Sequence, residues 1–187
     1  MPMTTNQTFS AVLAEADLLH DGNALDAAIR DMATRIDADY SQMERPVFLT
    51  VMHGGLFFAA RLALCCHTDF EFDYVHATRY RGTAGGGLNW IKEPGIPLAG
   101  RHVLLADDIL DEGPTLLAIL EHCRVQGAAS VRIAVLADKL HDRRAEGISA
   151  HYVGVTVPDR YVFGYGMDWH GHGRNLDGIY AMAEVEA

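Results

Sequence analysis

The stretch Val103-Leu104-Leu105-Ala106-Asp107-Asp108-Ile109-Leu110-Asp111-Glu112-Gly113-Pro114-Thr115 constrains this chain more than any other. An apolar run ends on two adjacent carboxylates, and a third carboxylate, a glycine and a threonine follow. Beyond it, Leu116, Ile119, Leu120 and Cys123 recur at helical spacing. Apolar run, turn and then a 3.6-residue period read as strand, loop and helix. Open α/β sheets bind their ligands at the carboxyl ends of such strands. A glycine turn and a hydroxyl at a helix start offer N–H and O–H groups to an anion. The stretch therefore predicts a phosphate seat with acids beside it. It contains neither the GxxxxGK[ST] of a Walker loop nor the GxGxxG of a dinucleotide fingerprint.

The flanking sequence repeats this alternation. Leu25, Ala28, Ile29, Met32 and Ile36 predict a helix from Ala24 to Ile36, with Asn23 as its N-cap. Pro46 opens a buried strand, Val47 to Met52, and His53-Gly54-Gly55 leads into a helix from Leu56 to Leu64. Phe70 to Thr78 reads as a strand. Arg79 to Gly87 is basic, then glycine-rich, as lids are. Further strands are expected at Leu88 to Ile91, Ser130 to Ala137, Tyr152 to Val157 and Tyr161 to Tyr165. Asp168 to Asp177 reads as irregular, and residues 1–10 and 182–187 as flexible. Strands alternating with helices imply an α/β chain, with a mostly parallel central sheet flanked by helices. No linker or repeat divides it, so residues 1–187 read as a single domain.

Charge and cysteine usage narrow the function classes. A net charge of −10 argues against a nucleic-acid partner, which needs a basic face. No apolar run approaches the ~20 residues of a membrane span, so no membrane partner is expected. Cys65, Cys66 and Cys123 form neither a CxxC pair nor a disulfide framework. A reduced, cytoplasmic protein fits best.

Four further segments lie around the central stretch: Val51-Met52-His53-Gly54-Gly55; Arg79-Tyr80; Val135-Leu136-Ala137-Asp138-Lys139; and Val157-Pro158-Asp159-Arg160-Tyr161-Val162-Phe163-Gly164-Tyr165-Gly166-Met167-Asp168, with Arg174 beyond. In order and spacing this set resembles the hypoxanthine-guanine phosphoribosyltransferases, over roughly residues 10 to 180. The resemblance implies a type I phosphoribosyltransferase fold with a small hood formed by the terminal segments. It implies transfer of 5-phosphoribosyl from phosphoribosyl diphosphate (PRPP) to N9 of hypoxanthine or guanine, giving IMP or GMP and diphosphate. By the same resemblance Asp107 and Asp108 hold the ribose hydroxyls, and Asp111 is the general base and stands clear of any ion pair. Asp111, Glu112, Gly113, Pro114 and Thr115 cradle the 5′-phosphate. His53 and Gly54 form the diphosphate loop, Arg79 and Tyr80 open the lid, and Arg174 meets diphosphate. Lys139 donates to the purine 6-oxygen, Tyr161 stacks on the base and Val162 offers its backbone to the base edge. Mg2+ is the implied cofactor, with Asp107, Asp108 and Asp168 as its ligands and Asp168 also at the purine. A homodimer or homotetramer is implied as well. A broader 6-oxopurine transferase that takes xanthine, and a PRPP-sensing regulator without catalysis, remain open. So does a zinc site at Asp168, His170 and His172.

The chain departs from the family pattern at Glu112 and Pro114. Pro114 has no N–H but suits a first helical turn. Glu112 puts a charge beside a bound dianion, and repulsion of several kcal/mol at ~4 Å predicts that it faces solvent. Glu112→Gln is then expected to leave PRPP affinity, measured by calorimetric titration, almost unchanged. Tightening by ~10-fold that fades in high salt would show the charge to face the phosphate instead.

Overall fold

The computed structural model describes residues 8–79 and 88–183. In chain order the elements are α1 (Phe9–Glu15), β1 (Asp17–Asp21), α2 (Gly22–Tyr40), β2 (Val47–Met52), α3 (Leu56–Cys65), β3 (Glu71–Arg79), β4 (Leu88–Lys92), β5 (His102–Leu110), α4 (Pro114–Val125), β6 (Ser130–Lys139), β7 (Tyr152–Val157), β8 (Val162–Phe163) and β9 (Gly178–Ala181).

Six strands form one sheet in the order β4-β3-β2-β5-β6-β7. Every pairing in it is parallel except the β3–β4 hairpin edge. β5 explains why its sequence is a continuous apolar run. Leu104 and Ala106 pack into one core with Leu25, Ile29 and Met32 of α2 and Phe58 and Leu62 of α3. Val103 and Leu105 pack into a second core with Leu116, Ile119, Leu120 and Cys123 of α4. A strand covered on both faces has no polar side to alternate with.

Helix α2 is longer than the predicted 24–36, and its cap differs. Asp21, not Asn23, is the N-cap, and its carboxylate accepts the Ala24 amide at 2.8 Å. An N-cap oxygen reaches the amide two or three residues on, which Asp21 satisfies once Gly22 and Asn23 turn into the helix. At the far end the helix runs on to Tyr40 because that ring is fully buried, with its hydroxyl donating to the Val103 carbonyl at 3.1 Å.

Both ends of the chain meet in a second, antiparallel sheet of order β1-β9-β8, which forms the hood. Asp17 pairs with Ala181, and Val162 pairs with the same residue from the other side. The sequence reading anticipates neither β1 nor β9, and only Val162–Phe163 of its strand 161–165 is a strand. These strands are too short for periodicity to register. Residues 168–177 are irregular, as expected, yet braced by bridges Gly164–Met167 and Trp169–His172.

The stretches expected to be flexible need correction at their inner edges. Phe9 begins α1 and packs edge-on against Phe163 at 6.0 Å and stacked on His172 at 5.7 Å. The Met182 amide donates to the Tyr161 carbonyl at 2.9 Å. Both edges are tied into the hood, while residues 1–7 and 184–187 lie outside the described residues. Because Phe9 is only half-buried, Phe9→Ala is expected to lower unfolding free energy by about 1–2 kcal/mol in urea titration. A change under ~0.5 kcal/mol would show the N-terminal helix to be an idle appendage.

Candidate active site

The chain leaves β2 through residues 53–55 into α3 on one face of the sheet. It leaves β5 through residues 111–113 into α4 on the other. Adjacent parallel strands whose connections diverge in this way open a crevice at their carboxyl ends. There a cavity of about 420 Å³ is lined by Val51 to Gly54, by Asp107, Asp108 and residues 111 to 116, and by Arg174 reaching over from the hood.

Asp107 and Asp108 end the apolar run of β5. Each takes the next amide in the chain: Asp108 N–H donates to Asp107 Oδ1 at 2.9 Å, and Ile109 N–H to Asp108 Oδ1 at 2.8 Å. Burial pushes both carboxyls up, Asp107 well above the carboxylate range, where the adjoining Asp108 charge adds to the rise. The pair is held at a cost in charge repulsion, which a ligand hydroxyl or cation relieves. Gly54 lies directly against Asp108, and a Cβ there would collide with the carboxylate. The glycine is what lets loop 53–55 close over the acid pair. The Met52–His53 peptide is cis. The His53 ring meets His76 at 4.3 Å, and burial, then the neighbouring His53, hold His76 below the usual imidazole range.

At the start of α4, Gly113 has φ +85° and Pro114 occupies the first turn. A side chain at Gly113 would be strained, and its Cβ would meet Ile148 at 2.8 Å. The helix has no side-chain cap, so first-turn N–H groups remain for an anion. The Thr115 hydroxyl adjoins the same cavity. Glu112 also borders the cavity, with its side chain half exposed and its carboxylate 3.8 Å from Arg143 Nε.

The expectation that Asp111 stands clear of an ion pair needs correction. Lys139 Nζ lies on Asp111 Oδ2 at 2.5 Å, and His141 Nε2 on Oδ1 at 2.8 Å. Strand register is the cause: Leu110 of β5 pairs with Asp138 of β6, so the next residue of each strand emerges beside the other. Burial acts to raise the Asp111 carboxyl, but hydrogen bonds and charge from Lys139 and His141 hold it below the ordinary carboxylate range. The Lys139 ammonium, expected to face a purine, is directed at Asp111.

Tyr161 is 45% exposed, with its hydroxyl donating to the Asp168 carbonyl at 2.9 Å. Val162 is buried in β8 opposite Ala181. The Asp168 carboxylate is committed to Arg174 Nη2 and to the Gly171 amide at 2.6 Å. In this structure Asp168 is thus paired within the hood. Among the described residues no group of three or more His, Cys, Asp or Glu is arranged to hold a metal ion. That also removes the zinc reading, since His170 faces Trp169 and His172 stacks on Phe9. Arg79 ends β3 opposite Leu88, and Tyr80 and the glycine-rich stretch expected to be a lid lie outside the described residues.

Sequence reasoning missed His141, Arg143 and Arg144. Arg143 pairs in a fork with Asp159 at 2.7 Å. Arg144 binds Asp138 at 2.5 Å and the Lys139 carbonyl at 2.8 Å, clamping the end of β6. Their signal was a cluster of basic residues immediately after a strand, at the edge of the sheet where ligands bind.

Residues 15–169 match the model of the phosphoribosyl transferase domain family. The hypoxanthine-guanine-xanthine phosphoribosyltransferase of Tritrichomonas foetus is 32% identical over 89% of this chain and 91% of its own length. The hypoxanthine-guanine phosphoribosyltransferase of Streptococcus pneumoniae is 35% identical over 84% and 87%. The crystal structure of a hypoxanthine phosphoribosyltransferase from Staphylococcus aureus superposes with a TM-score of 0.86 at 27% identity, over 95% of this chain and 97% of that one. Sequence likeness over most of both chains and a shared fold agree with the crevice and its acids: the chain belongs to the hypoxanthine-guanine phosphoribosyltransferase family of phosphoribosyl transferase domains.

Proposed function

We propose that the chain transfers the 5-phosphoribosyl group of PRPP to N9 of hypoxanthine or guanine, releasing diphosphate and giving IMP or GMP, a purine-salvage reaction. The observation that carries this reading is the convergence on one cavity of the acid pair, the glycine turn at α4 and Arg174, with the Asp111–Lys139 pair at its edge. Asp107 and Asp108 accept hydrogen bonds from the ribose hydroxyls, which suits two carboxylates facing a vicinal diol. The 5′-phosphate sits on the amides of residues 111–113 and Thr115 and on the Thr115 hydroxyl, Pro114 having no N–H to give. Diphosphate lies between His53-Gly54 and Arg174, beneath the lid opened by Arg79 and Tyr80.

The purine stacks on Tyr161 and presents its edge to the Val162 backbone, close to Asp168. Lys139 leaves Asp111 for the 6-oxygen, and the freed Asp111 carboxylate takes the proton of the ring nitrogen as N9 bonds to C1 of the ribose and diphosphate departs. Charge develops at C1 in an oxocarbenium-like transition state, so positioning, charge neutralisation and water exclusion do the catalysis. Asp107 and Asp108 suit a divalent cation, because two adjacent buried carboxylates, offset only in part by Arg174, gain from a hard positive charge. When bound, Mg2+ would offset diphosphate charge while keeping substrate oxygens and water in its shell. A homodimer or homotetramer in the cytoplasm belongs to the same reading, and among the described residues no helix is long and apolar enough to cross a membrane. Use of xanthine as well is the second reading, favoured by the name of the T. foetus relative.

A PRPP-dependent assay across hypoxanthine, guanine, xanthine and adenine tests both readings. A lysine ammonium has only donors, so adenine's amino group faces it donor to donor. Hypoxanthine and guanine are expected to react and adenine to be disfavoured by ~10⁴-fold. Efficient AMP formation would overturn the role of Lys139, xanthine turnover would select the broader reading, and PRPP binding without any turnover would mark a sensor.

Asp111→Asn keeps size and removes the base. Turnover is expected to fall ~10²-fold with PRPP affinity largely kept. Because its two donors hold Asp111 low, the wild-type acid limb of kcat/KM should lie below the ordinary carboxylate range. Near-normal turnover in the variant would exclude the role.

A further inference from the structure

One imidazole at the site has no part in the reaction above. His141 lies two residues beyond Lys139, and its side chain is only 2% exposed. Its Nδ1 receives the backbone N–H of Arg143 at 3.0 Å. A ring nitrogen that accepts carries no proton, so the ring proton is on Nε2, and Nε2–H donates to Asp111 Oδ1 at 2.8 Å. A second proton at Nδ1 would set donor against donor. Asp111 is therefore held by two unlike groups: an ammonium on a flexible stem at Oδ2, and a buried imidazole locked by the main chain at Oδ1.

On the transferase reading, on which this inference rests, Lys139 has to leave Asp111 when a 6-oxopurine enters. A carboxylate held by Lys139 alone would then be free to rotate away. We propose that His141 is the positioning residue for Asp111, keeping the carboxylate in place and ionised while Lys139 turns to the base. His141 touches neither substrate nor reacting atoms in this scheme. The charged groups around the imidazole are Asp111 from the end of β5, Lys139 from the end of β6, Arg143 on its own loop, Asp159 from the β7–β8 connection, and Glu112, 3.8 Å from Arg143. Asp159 and Glu112 are turned to Arg143, which leaves Asp111 as the carboxylate bonded to the ring.

The test uses the full chain, with kcat, KM for PRPP and the pH profile measured for His141→Ala and His141→Gln. A nitrogen-15 imidazole spectrum of the wild-type protein accompanies them. His141→Ala removes a donor that keeps the Asp111 carboxyl low, so the carboxyl rises and the acid limb moves to higher pH. We expect kcat to fall roughly tenfold, KM for PRPP to stay within ~twofold and the limb to rise by ~1 unit. The glutamine amide reaches the place of Nε2 and should restore most of both. The wild-type ring should be the Nε2–H tautomer. An alanine variant with wild-type kcat and limb would overturn the proposal. So would a glutamine variant no better than alanine, or a wild-type ring carrying its proton on Nδ1. If the alanine variant does not fold, His141→Phe, which fills the ring's space without a donor, takes its place. If the wild-type protein makes no nucleotide, the transferase reading fails, and the tautomer with the Asp111 carboxyl titration in the donor-free variant still decides whether His141 governs Asp111.

Discussion

The parallel pairing of β2 with β5 carries the rest of the site. Val47 to Thr50 lie beside Val103 to Ala106 in register, and from there the chain departs to opposite faces through two short glycine-containing turns. That divergence leaves a gap that no side chain of the sheet fills. Into it point the two acids that end the apolar run of β5 and the start of an uncapped helix. An anion is attracted by the free amides of α4, and the acids beside it are held where water is scarce. Both arise from one topological step, and for that reason they sit together.

Burial then changes what each acid does. Asp107 and Asp108 are adjacent in sequence and both raised, because the strand that delivers them is packed on both faces. Asp111, three residues on, moves the other way. It has passed the sheet edge and come within reach of Lys139 and His141 from the neighbouring strand. Three carboxylates within five residues thus have two electrostatic characters, as a site needs when some groups meet hydroxyls or cations and another accepts a proton. The glycine at 54 belongs to the same logic, since the acid pair is covered by main chain only because no side chain intervenes.

The hood contributes in a different way. Arg174 reaches the cavity from a segment braced by turns and bridges rather than by long strands. Its guanidinium is positioned by the Gly166 carbonyl and the Asp168 carboxylate. That pairing satisfies the Asp168 carboxylate in turn. Arg143 connects three parts of the chain: its guanidinium faces Asp159 and lies near Glu112, and its amide fixes the His141 ring.

By itself the sequence determined the strand–turn–helix units, the apolar faces of α2 and α4, the acid pair and the glycine turn. Each of these is local, with a period, a breaker or adjacent charges inside about a dozen residues. What only the tertiary structure decided depends on residues distant in sequence. The partner of Asp111 follows from β5–β6 register, which sets residues 28 positions apart side by side. The strands β1 and β9 exist because the two ends of the chain find each other, and four or five residues have too little pattern to announce that. His141 and Arg143 announce themselves only as part of a basic cluster after a strand. Their roles come from burial and from one main-chain N–H, neither of which is written in residue type or spacing.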